Sequence, residues 1–220
     1  MSSEAPATFF RSLVGKKVVM AITGVVLFVF VVGHLLGNLQ IFEGPERVNA
    51  YARFLKSTGE LLWAVRAMLL VALLLHIWAA IGVSLASKRA RPIGYAEKRD
   101  IETGYAARTM IWSGPLLFLY VVYHLMMFTF LTTGPGYSPT DVYRNEILAF
   151  RQPAITAVYV FAMVLLGMHL YHGAWSMLHT LGISNPRYRR LRRLAAPAVA
   201  IAVTAGYIVI PLAVFVGVVK

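Results

Sequence analysis

Residues 152–186, QPAITAVYVFAMVLLGMHLYHGAWSMLHTLGISNP, run for 35 positions without an Asp, Glu, Lys or Arg, yet hold His169, His172 and His179. About 20 apolar residues suffice for a helix to cross a bilayer. An ionisable side chain inside such a helix is costly and marks a functional position by default, and histidine is the commonest protein ligand for a metal. Outward from this stretch, four more uncharged runs are found: Val18 to Phe42, Ala67 to Ser87, Thr109 to Pro139 and Leu194 to Val219. The first three carry His34, His76 and His124, and the last carries no histidine.

With 220 residues, 59% of them hydrophobic, and a mean hydropathy of +0.68, the chain is too apolar for a soluble domain. The expected architecture is an all-α integral membrane protein: a single domain over 1–220, with five transmembrane helices at roughly 16–40, 61–87, 106–132, 153–181 and 195–219. No polar stretch is long enough for a separate soluble domain. The net charge of +12 would point to nucleic acid in a soluble protein. Here the placement of the charges matters more, and no nucleic-acid partner is expected. With the N-terminus cytoplasmic, 14 Lys and Arg fall on the inner side, including the cluster Arg187, Arg189, Arg190, Arg192 and Arg193, and 7 on the outer side. The positive-inside rule therefore places the N-terminus in the cytoplasm and the C-terminus outside. The basic cluster itself suits lipid phosphates or a soluble partner.

The chain has no cysteine, which excludes disulfides, thiolate metal sites and iron–sulfur ligation by its own residues. Punctuation along the chain predicts further features. Val48, Tyr51, Ala52 and Leu55 are spaced for a short surface helix after Gly44-Pro45. Ser113-Gly114-Pro115 predicts a kink in the third span. Ser138 is placed to cap a second surface helix with Pro139 in its first turn. Gly182 and Pro186 close the fourth span, and Pro197 and Pro211 mark the ends of the fifth.

Whether the histidines can meet is decided by depth, at 1.5 Å rise per residue. His34 lies 17 residues past Lys17 and His124 lies 16 past Arg108, both at roughly 25 Å from the inner boundary. His76 lies 12 residues before Lys88 and His172 lies 10 before Gly182, at roughly 18 and 15 Å. Four helices thus supply two pairs, separated along the membrane normal by roughly 10 Å. Two stacked bis-histidine haems fit this arrangement, and with both axial positions filled their chemistry is electron transfer. An open metal site or a proton pathway would need acids, and the apolar runs contain none. By depth alone His169 pairs with His76 as well as His172 does; Gly173, beside His172, would let a flat macrocycle approach the backbone and favours His172. His179 is expected at the inner surface.

The residues Gly33-His34-Leu35-Leu36-Gly37-Asn38-Leu39-Gln40, Tyr123-His124-Leu125 and His169-Leu170-Tyr171-His172-Gly173-Ala174-Trp175-Ser176 with Thr180-Leu181-Gly182 resemble the dihaem cytochrome b subunit of single-anchor succinate:quinone oxidoreductases, over essentially the whole chain. The resemblance implies a five-helix bundle in a bacterial cytoplasmic membrane, holding two haems b. It pairs His34 with His124 and His76 with His172 as axial ligands. It also implies a flavoprotein (FAD) subunit and an iron–sulfur subunit docked on the cytoplasmic face, with electrons passing through the haems to or from a quinone, menaquinone or ubiquinone. An acid near the quinone is expected on the outer side, with Glu60 and Glu43 as candidates beside Gln40. His179 departs from the family pattern, where Gln is expected. Two other functions share the intramembrane histidines: the cytochrome b subunit of a hydrogenase or formate dehydrogenase, and a non-enzymatic haem-handling membrane protein.

Overall fold

The computed structural model describes residues 9–90, 105–134, 136–180, 182 and 189–220. Arg187, Lys98, Arg99 and Pro186, and the side chains of Arg108, His179 and Arg189 to Arg193, lie outside the described residues, as therefore does most of the expected inner basic surface.

Among the described residues seven α-helices follow in order: α1 (Leu13–Asn38), α2 (Pro45–Ser57), α3 (Glu60–Arg89), α4 (Tyr105–Phe128), α5 (Val142–Phe150), α6 (Pro153–Thr180) and α7 (Arg189–Phe215). No strand occurs among the described residues. Five of the helices, α1, α3, α4, α6 and α7, are long and apolar enough to cross a membrane, with mean hydropathies from 1.6 to 2.6 over their most apolar windows. The chain is a multi-pass membrane protein of all-α class. Helices suit this setting because each satisfies its own backbone polar groups, which hydrocarbon cannot do.

Local chemistry sets several boundaries. Ser12 caps α1, its hydroxyl accepting from the Gly15 N–H at 2.9 Å. Pro45 opens α2 at its first position, following Gly44 at φ +98°. Helix α4 ends at Phe128, four residues before the expected boundary, where Leu131 turns into the left-handed region at φ 55° and the Thr132 N–H returns to the Met126 carbonyl. Pro115 is accommodated inside α4. The fifth span corrects its expected boundaries: Pro197 and Pro211 both lie within α7 rather than at its ends. The cap of α5 is Asp141, not Ser138, because the Asp141 carboxylate accepts from the Arg144 N–H at 3.0 Å.

Helix α1 packs along α3, α6 along α7 and α4 along α6, with α1 also touching α6 and α7. At Gly167 the α6 backbone meets Thr204 of α7 so closely that an added Cβ would lie 2.3 Å from its Oγ1. The buried core lies toward the end of the bundle that carries α2 and α5, and includes Ile41, Met127 and Val214, each 1% exposed. Away from it α3 and α4 present Leu70, Leu74, Trp112 and Leu119 outward, as apolar surface for lipid.

The short helices close one end of the bundle through polar contacts. Asn49 of α2 donates to Asp141 at 2.9 Å and accepts from the Tyr143 N–H at 3.2 Å. Lys56 of α2 donates to the Pro139 carbonyl. Asn145, 3% exposed, accepts from the Ser138 N–H at 2.8 Å and donates to the Ser138 carbonyl at 2.7 Å. Its replacement by alanine strands both backbone groups, a loss of about 2 kcal/mol. Asn145→Ala is therefore expected to lower the thermal unfolding midpoint in detergent and speed amide exchange around Ser138; an unchanged exchange rate there would show that the contact does not hold the loop.

Candidate functional site

Four of the six histidines come together in two pairs. The rings of His34 on α1 and His124 on α4 lie edge to face with centroids 5.8 Å apart. The rings of His76 on α3 and His169 on α6 are 6.2 Å apart, tilted by 53°. Two metal–imidazole bonds of about 2 Å each, plus the half-widths of two rings, would place the centroids of a bis-histidine pair roughly 6 Å apart. Both pairs have that spacing. The ring opposite His76 is thus that of His169; His172 lies one turn further along α6, lining a cavity with Lys17, Ser176 and Thr180.

The helices that share a histidine pair are not the ones that pack closely. Neither α1 with α4 nor α3 with α6 forms a close backbone pairing among the described residues. The imidazoles reach across these wider gaps, and the close neighbours supply the groups that aim them. Thr23 on α1 donates its one hydroxyl proton to the Val19 carbonyl at 2.7 Å, so toward His76 Nδ1, 3.2 Å away, its oxygen can only accept. That assigns the proton of His76 to Nδ1 and leaves Nε2 with the free lone pair. On the α4–α6 side the Tyr159 hydroxyl lies 3.2 Å from His124 Nδ1 and 3.6 Å from Met127 Sδ, so it meets the His124 ring at Nδ1 and leaves Nε2 on the far side. Metal-binding histidines are characteristically held in this way, through the ring nitrogen that does not ligate.

The other two rings are held less tightly. His34 stacks on Phe30 and has Asn38 Nδ2 at 3.4 Å from its Nε2, a long contact. His169 Nδ1 is buried without a hydrogen-bond partner, an arrangement that costs free energy unless some group meets it. Among the described residues no group of three or more His, Cys, Asp or Glu could hold a metal ion; the histidines meet in pairs only. The levels are separated: His34 lies 11 residues beyond Thr23 on α1, and His169 lies 10 beyond Tyr159 on α6, each a rise of roughly 15 Å. Counting from charged boundaries gave a smaller separation because those boundaries do not mark the same depth on each helix.

Aromatic rings wall the His34–His124 pair. Tyr120, Phe128 and Tyr159 contact His124, and Tyr207 lies 6.3 Å from His34 while donating to the Val31 carbonyl at 2.7 Å. The acids expected at this end are peripheral. Glu60 is exposed in the first turn of α3, and Glu43 is exposed in a surface ion pair with Arg47 at 3.3 Å. Gln40 is half-buried in the 3-10 turn that follows α1.

The enclosed acid is Glu146 on α5, which the sequence reading passed over because it stands in a polar loop segment. Part of its side chain reaches the surface, but its Oε2 is buried without a hydrogen-bond partner, near enough to Tyr159 for the two to interact electrostatically. Thr23 and Tyr159 were passed over too; their only sequence signal is a hydroxyl inside an apolar run. No protein-family model, curated protein or solved structure matches the chain.

Burial pushes the Glu146 carboxyl from its ordinary 4.5 up to about 8. Because the folded value is the higher one, the folded chain keeps a proton that the unfolded chain has lost, and stability falls as pH rises from near 4.5 through 8. Glu146→Gln is expected to remove that slope and raise the unfolding midpoint relative to the parent at pH 8 to 9 while matching it near pH 4.5. Parallel pH profiles for the two proteins would contradict the assignment.

Proposed function

We propose that this chain is the membrane-anchor cytochrome b subunit of a succinate:quinone oxidoreductase, holding two haems b between four helices. Its partners in this reading are a flavoprotein (FAD) subunit and an iron–sulfur subunit. The observation that carries the haem reading is the pairing of four histidines from four helices at two levels, each pair spanning helices that do not pack directly. The further step to the succinate:quinone enzyme rests on the sequence resemblance over helices α1 to α7.

His34 and His124 would hold one haem, and His76 and His169 the other, with His169 in place of the His172 favoured by the neighbouring glycine. A haem held between two such imidazoles would supply one-electron transfer. Thr23 and Tyr159 meet His76 and His124 at Nδ1, which leaves Nε2 of each ring to ligate. The aromatic wall around His124 keeps water from that level, and the apolar faces of α1 and α6 separate the two levels. With the N-terminus cytoplasmic, as the charge distribution implies, the His76–His169 level faces the cytoplasm and the partner subunits. The His34–His124 level then faces α2, α5 and the outer surface, toward a quinone, menaquinone or ubiquinone. The setting would be a bacterial cytoplasmic membrane.

Haem counting on the purified complex tests the assignment. The parent is expected to carry two low-spin haems per chain, and His76→Ala and His169→Ala to carry one each, the same one. His172→Ala is expected to keep both. Loss of a haem from His172→Ala but not from His169→Ala would return the ligand role to His172. Copurification of a flavin-bearing subunit separates this reading from a hydrogenase or formate dehydrogenase cytochrome, and a colourless complex would refute the haem reading altogether.

A further inference from the structure

Beyond the His76–His169 pair, toward the end where α1 begins, lies a cavity of about 470 Å³ between α1, α3 and α6. Met20 connects the two features, since it lines the cavity and its carbonyl lies 3.2 Å from the Thr23 hydroxyl that meets the His76 ring. Along α6 the cavity-lining residues His172 and Ser176 step away from His169 by roughly 5 and 10 Å. The rest of the wall is mostly aliphatic; Lys17 of α1, His172, Ser176 and Thr180 are its polar members. Lys17 is exposed at the mouth, where a long stem keeps an ammonium near water. Among the described residues neither Lys17 nor His172 has a hydrogen-bond or ion-pair partner, and no acid lines the cavity. Thr180 spends its hydroxyl proton on the Ser176 carbonyl at 3.0 Å, so the donors left are the ammonium, the imidazole and the Ser176 hydroxyl.

An aliphatic slot that ends in an unpaired ammonium and further donors, with no carboxylate among its lining residues, suits a flat apolar body with a carboxylate edge. We infer that this cavity takes the propionate edge of the macrocycle held by His76 and His169, with Lys17 and His172 as the carboxylate partners. The inference rests on the haem reading above. It gives His172 a role distinct from ligation: it donates to and positions the group that its neighbour one turn away holds.

Redox titration of the intact complex tests this, using Lys17→Gln, His172→Gln and Lys17→Arg. A carboxylate that loses a positive partner favours the oxidised iron. Lys17→Gln is therefore expected to lower one of two midpoint potentials and leave the other unmoved, with both haems retained. His172→Gln should lower the same potential by less, and Lys17→Arg should keep the parent value. Unmoved potentials in both Gln variants would overturn the inference, as would loss of a haem from His172→Gln, which would make that residue a ligand. Unmoved potentials accompanied by loss of a bound anionic lipid, read by native mass spectrometry, would assign the cavity to a lipid headgroup instead. A parent complex without haem would refute the underlying reading first, before any variant is compared.

Discussion

The arrangement of this bundle depends on two hydroxyl–imidazole contacts, Thr23 to His76 and Tyr159 to His124, each at 3.2 Å. In hydrocarbon an imidazole has no water to satisfy either nitrogen, so an unpartnered ring is costly. Each contact satisfies one nitrogen from a closely packed neighbour and turns the other away from it. Close packing of α1 on α3 and of α4 on α6 thus aims the rings across the wider gaps, toward His169 and His34. The pairs that pack and the pairs whose histidines meet are different pairs, which is what a group held between helices requires.

The two ends of the bundle differ in kind. At the α2 and α5 end, side-chain amides join the short helices, and Tyr143 donates to the carbonyl of Lys220 at 2.8 Å. This closure buries Ile41, Met127 and Phe150 and encloses the Glu146 carboxyl. The opposite end has an aliphatic cavity with a free cation at its mouth among the described residues. One level of histidines is therefore shielded by aromatic side chains and a polar cap, and the other lies beside a cavity with Lys17 at its mouth.

Much of this was legible in the sequence, and the reasons are physical. A helix in lipid needs a long uncharged run, so the spans follow from composition alone, and all five are present in the structure. The amphipathic α2 follows from helical spacing after Gly44-Pro45. Prolines were poorer guides. Pro197 and Pro211 lie inside α7, because neighbouring helices can accommodate the freed backbone groups of a membrane proline. The α5 cap went to Asp141 because a carboxylate three residues before Arg144 accepts its N–H, while Ser138 is engaged by Asn145.

The amino-acid sequence by itself determined the number of spans, the helix that bears each histidine and the division of the histidines into two levels, since charge, hydropathy and a fixed rise per residue act locally along the chain. Only the tertiary structure decided which ring of α6 meets His76, and which acid is enclosed. His169 and His172 sit on similar faces at similar depth. The choice between them turns on the rotation of α6 about its own axis, which is set by its close contact with α7 at Gly167 and Thr204. Glu146 is likewise enclosed by elements distant in the chain, and no local pattern records that.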